Sequence, residues 1–147
     1  MGPRHRAREL AVQVLFQLEL QPGNWRTPLQ YHLDQEPQSP SGRRFAEELV
    51  EGAVAHQSEI DASIVAGSTN WPIDQMGALE RAVLRIATEE LCWRRQEPVA
   101  VVIDEAVQLA KQMAGDEAGK FVNGVLGNIA RAPSQALEQA VARSPSR

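Results

Sequence analysis

The sequence predicts an all-α domain of roughly six or seven helices, on three observations. Apolar residues recur at i, i+3, i+4 and i+7 in almost every informative stretch, no segment alternates with period two long enough to require a sheet, and the connections are short and rich in Pro, Gly and Ser. A length of 147 residues is enough for one buried core and short of the size at which chains divide.

The elements follow in order. Ala7, Leu10, Ala11, Val14, Leu15 and Leu18 form the first helical stripe, which "QPGNW" terminates through Pro22 and Gly23. A short second helix is expected from Thr27-Pro28, with threonine as N-cap and proline at the first helical position, turning Leu29 and Leu33 inward. After the loop "QEPQSPSG", Phe45, Leu49, Ala53, Ile60 and Ile64 continue a stripe, as one long helix or as two broken near His56 to Ser58. "GSTNWPID" punctuates the chain before the amphipathic run Leu79, Ala82, Val83, Ile86, Ala87 and Leu91. "VAVVI" is β-branched enough to pass for a strand, but Ile103, Ala106, Val107 and Ala110 carry it on at helical spacing, so it reads as the start of a helix closed by Gly115. Ala118, Phe121, Val122, Val125, Leu126 and Ile129 make the last stripe. Residues 1–131 are read as the domain and 132–147 as a mobile tail.

Composition narrows the function. No apolar run reaches the ~18 residues that span a bilayer, and the basic start lacks the apolar core of a signal peptide, so the expectation is a soluble, cytoplasmic protein. One cysteine, Cys92, beside the scattered His5, His32 and His56 matches no zinc spacing, and neither a metal nor a cofactor is expected. A net charge of −4 argues against bulk electrostatic capture of duplex nucleic acid, which requires many phosphates to be neutralised at once. Asp104 and Glu105 project about 100° apart on a helix and form no convergent pair, and no nucleophile, base and orienter set is visible, so no enzyme is expected.

Against that acidic background the chain opens on "PRHRAREL". Arg4 and Arg8 flank the apolar stripe on one side and Arg6 on the other. Such residues often lie as solvated edges with their stems over the core. Cations at a helix amino end, however, work against its dipole by about 0.3–1 kcal/mol each. An anion brought there would meet arginine forks and free backbone N–H groups together, and phosphate fits that description best. Val12 and Phe16 project about opposite the core stripe, either because other helices cover that side or because a partner does.

"RARELAVQVLFQLEL", "LVEGAVAHQSEID", "LERAVLRIATEEL", "PVAVVIDEAVQLAK" and "KFVNGVLGNI" closely resemble, in order from about Arg4 to Ile129, the segments of the NusB family of bacterial transcription antitermination factors. The resemblance implies two packed helical bundles that bind boxA single-stranded RNA of nascent ribosomal transcripts. It further implies a heterodimer with NusE, a small-subunit ribosomal protein, acting with RNA polymerase in an antitermination complex. By position it carries RNA binding onto Arg4, His5, Arg6, Arg8 and Lys120, with His5 standing where an arginine is common. It carries partner contact onto Phe16 and Glu80; Val12 joins them by its place on the helix, and Glu89 and Glu90 as further acids that would attract a basic protein.

The sequence departs from the family pattern at Asp104 for a usual asparagine, Gly127 for an acid and Glu89 for a frequent tyrosine. Gly124 within the last helix is read as a point of close helix contact. A homodimer hiding the apolar patch is an open alternative for the free protein. Similar domains also form the amino-terminal module of RNA cytosine methyltransferases, the alternative reading, although here only a short tail follows Ile129.

Overall fold

Helix α1 (Pro3–Leu20) runs between two groups of helices and packs on both. In the computed structural model, which describes residues 3–132, it lies against α2 (Arg26–Gln35) and α3 (Pro40–Ala55) on one side and α5 (Ala78–Glu89) on the other. The second group consists of α4 (Gln57–Gly67), α5, α6 (Val99–Ala114) and α7 (Asp116–Ala130), with α6 and α7 forming an antiparallel hairpin. Among the described residues there are seven α-helices in two groups, within the six or seven expected, and no strand. The tail expectation falls on residues 133–147, outside those described.

Local chemistry explains most boundaries. Ser39 Oγ accepts from Gly42 N–H at 3.1 Å and Pro40 follows, a strong start for α3. The long stripe is two helices that break at His56. Helix α6 begins after Pro98 and ends at Gly115, whose φ of 101° only glycine takes without strain, so "VAVVI" is helical as expected. Helix α2 starts earlier than expected: Asn24 Oδ1 accepts from Arg26 N–H at 3.0 Å, so Asn24 does the work assigned to Thr27.

The interior joins Val12, Val14, Leu49, Ile60, Ile64, Leu84, Leu109, Leu126 and their neighbours into one core. Because α1 is covered by α3 and α5 alike, Val12 is fully buried; of the two readings for that side, cover by other helices holds and a partner surface at Val12 is corrected. Gly124 is also corrected, since a side chain there would meet open space. The close approaches are at Gly67, where a Cβ would lie 3.0 Å from the Val125 carbonyl, and at Gly119, which seats the stem of Lys111.

Candidate nucleic-acid interface

The amino ends of α1, α3 and α6 meet at one pole of the molecule. Arg4 pairs with Glu97, just ahead of α6, at 3.2 Å, and its guanidinium lies 4.2 Å from the ring centre of Phe45 in the second turn of α3. None of these three helices carries an acid in its first turn, whereas α4, α5 and α7 open with Glu59, Glu80 and Asp116-Glu117. Three helix dipoles thus have no carboxylate of their own first turn at their positive ends, and Glu97, ahead of α6, is taken up by Arg4.

Arginines reinforce that field. Arg6 is half exposed and pairs with Glu36 at the end of α2. Arg94 comes in from the π-helical turn Glu90–Arg94, its guanidinium 5.2 Å from the Phe45 ring centre and 2.7 Å from Glu48 Oε1. Arg43 and Arg44, both exposed, lie in the first turns of α3 beside it. Sequence reasoning missed Arg94 and the role of Phe45, which reads as a plain core residue; the tandem arginines of "CWRRQEP" were the available signal.

Two expected members of the site are not on the surface. Arg8 has only 5% of its side chain exposed and forms a forked pair with Glu90, Nε to Oε1 at 2.8 Å and Nη2 to Oε2 at 2.6 Å. Burial opposes the Arg8 charge, but its hydrogen bonds to Glu90 and the charges of Glu90, Glu105 and Glu97 outweigh that and raise its pKa above the ordinary arginine value. The His5 ring is buried as well, and its Nδ1–H donates to Glu105 Oε1 at 2.6 Å. The expectation that His5 and Arg8 face RNA is therefore corrected: both turn inward and pin α1 to α6 and the π-helical turn.

Lys120 is exposed, 3.7 Å from Glu117. Its neighbour Gly119 packs on Lys111 towards the far end of α6, about 18 Å along that helix from the pole, and among the described residues no ion pair or hydrogen bond joins Lys120 to the arginines.

The comparisons decide what this arrangement belongs to. Residues 5–131 match the model of the NusB family. The chain belongs to the NusB family. It is 46% identical over 126 residues to the transcription antitermination protein NusB of Exiguobacterium sp., covering 86% of this chain and 95% of that one. The NusB of Bacillus subtilis is 40% identical over 126 residues, covering 86% and 93%. Among solved structures, antitermination factors NusB and NusE in complex with dsRNA superpose with a TM-score of 0.84 at 33% identity, over 90% of this chain and 98% of that one. T. maritima NusB superposes at 0.83 and 33% identity, over 94% and 99%.

For a NusB-family chain, the residues expected to meet a protein partner divide sharply. Phe16 is half-buried against the core, and Glu80 is partly exposed, its Oε1 accepting Gly77 N–H at 3.0 Å to cap α5. Glu89 and Glu90 are corrected: both are buried, Glu90 under Arg8 and Glu89 under His56, whose Nδ1–H donates to Glu89 Oε1 at 2.8 Å. Burial pushes the Glu89 carboxyl above the usual carboxylate range, with His56 and Arg94 opposing. Near Phe16, Glu19 accepts from Arg81 Nη2 at 2.6 Å and from Arg85 Nη1 at 2.8 Å, and Arg85 also grips Asp61 with a fork at 2.9 and 3.0 Å. A cleft of about 280 Å³ opens there between Leu15, Leu18, Trp25, Val54 and Arg85.

Proposed function

We propose that this chain is a transcription antitermination factor whose basic pole binds boxA-type single-stranded RNA of nascent ribosomal transcripts. In this reading it works as a heterodimer with NusE and supports processive transcription by RNA polymerase, a binding role without bond chemistry. The observation that carries the reading is the pole itself: three helix amino ends with no acid in their first turns, Arg4 and Arg94 over Phe45, and Arg6 nearby on α1, in a chain closely similar to NusB proteins. Arg4 and Arg6 supply guanidinium forks for phosphate, while His5 and Arg8 hold the helix that carries them. Phe16 and Glu80 remain the candidates for partner contact, and Lys120 serves as a separate, outlying cation. No described helix is long and apolar enough to cross a membrane, which is consistent with action on nascent RNA in the cytoplasm.

Arg4, Arg6 and Arg94 are already paired with Glu97, Glu36 and Glu48, so the RNA affinity of the chain alone is modest, and each phosphate contact adds about −0.7 to the salt slope. NusE raises affinity by adding contacts and by linkage. The test is a titration of boxA-like and scrambled RNA, with and without NusE, for the wild type and an Arg4→Ala/Arg6→Ala variant. The reading expects boxA preference, a gain from NusE, and a weaker, less salt-sensitive complex in the variant. Unchanged binding by the variant removes the pole from the RNA site, and no gain from NusE removes the heterodimer.

A further inference from the structure

We propose that Arg95 is a direct contact to the RNA backbone, held out at the basic pole by the strained turn that ends α5; this rests on the RNA reading of that pole. The turn is unusual in two ways. From Glu90 to Arg94 the chain widens into a π-helix, closed by Arg95 N–H on the Glu90 carbonyl at 2.9 Å, a local form found often at functional sites. Arg95 itself then takes the left-handed conformation, φ 55° and ψ 36°, where helices normally place glycine or asparagine. An arginine there works against its own backbone, and such strain persists where something other than stability holds the residue.

The position of the turn says what that something is. Arg94, just before it, lies over Phe45 with Arg4 and is tied to Glu48 and to Gln96 Oε1 at 2.9 Å. Glu97, just after it, holds Arg4 at 3.2 Å. One flank of Arg95 is therefore paired with Arg4 itself, and the other lies on the Phe45 ring that Arg4 also covers. The carboxylates of this neighbourhood are already engaged, Glu89 by His56, Glu90 by Arg8, Glu48 by Arg94 and Glu97 by Arg4. Arg95 is exposed, and no carboxylate lies within ion-pair distance of it among the described residues. A free guanidinium fork on a rigid, strained turn beside Arg4 fits a phosphate of the strand whose neighbouring phosphates meet Arg4 and Arg6.

Arg95→Gly separates contact from scaffold, because glycine accepts the left-handed backbone while removing the charge. We expect its thermal stability to equal or exceed that of the wild type. With NusE present, its affinity for boxA-like RNA should fall about two- to fivefold and its salt slope should flatten by about 0.7. Arg95→Lys should keep the slope, and Arg26→Ala, at the amino end of α2, should change neither quantity. Unchanged affinity and slope in Arg95→Gly, where Arg4→Ala/Arg6→Ala binds weakly, overturns the proposal and leaves the pole reading standing. If both variants bind as the wild type does, the pole reading falls with it. Loss of NusE affinity without a change in RNA slope overturns the proposal in favour of a protein contact.

Discussion

Arg8 and Glu90, 82 positions apart in the chain, meet in the interior as a forked ion pair with bonds of 2.8 and 2.6 Å. Removing one partner strands the other charge in the core, so Arg8→Ala should cost about 3–5 kcal/mol. Replacing both with Arg8→Met and Glu90→Leu should recover most of that loss. Urea unfolding of the two variants checks it; a double variant as unstable as the single one would show that the pair is not the source.

Glu19 should make stability acid-sensitive. Its hydrogen bond to Arg81 comes first, with help from Arg85 and against some desolvation, and holds its carboxyl below the usual range. A lowered carboxylate contributes stability that is present above the unfolded value and lost as pH falls through the folded one. Glu19→Gln should therefore be less stable than wild type at neutral pH, by about 1 kcal/mol for so exposed a network. The difference should vanish on acidification below the folded value, and a constant difference at all pH values would assign the effect to packing.

Gly52 and Glu89 should couple. A Cβ at Gly52 would overlap the Glu89 carboxylate, so Gly52→Ala should destabilise by roughly 1–3 kcal/mol in the wild type and far less in a Glu89→Ala background. Glu89 also has the opposite pH sign to Glu19. Its carboxyl is raised by burial, so its contribution turns unfavourable as pH rises from the unfolded value through the folded one. Glu89→Gln should gain on the wild type across that window and not below it. A thermal-melt series over pH for both sets of variants tests the coupling and the sign.

Cys92 should be inert while the protein is folded. The thiol is fully buried, and burial, with the Glu89 charge, pushes its pKa up to about 11. At pH 8 only about one thiol in a thousand is ionised, so alkylation should track global unfolding in denaturant. Labelling at the rate of an exposed thiol in native buffer would contradict this burial.

Periodicity made the helices legible, including the β-branched start at Val99 and the stop at Gly115. It could not show that α1 is covered on two sides, because a stripe reports one face of one helix and says nothing of which neighbours close the other. His5 and Arg8 therefore read as surface residues and Val12 as either, although all three are buried. Glu89 and Glu90 misled for a related reason. Their burial depends on partners distant in the chain, His56 and Arg8, that no local pattern announces. Of the candidate RNA site, Arg4 and Arg6 were legible from charge against the helix dipole, while Arg94 and Arg95 became visible only once the turn at the end of α5 was placed beside Phe45.

The clamp on α1 also sets an order of events at the ribosome. Glu105 is synthesised 100 residues after His5, which at bacterial translation speeds is about 5–20 s later. Until then His5 has no carboxylate to hold, and the amino end that carries Arg4 and Arg6 is steadied only by Glu36, Phe45 and the Arg8–Glu90 fork. A nascent chain stalled before α6 should therefore lack the α6 side of the pole, even though every arginine of its first turns is already outside the tunnel.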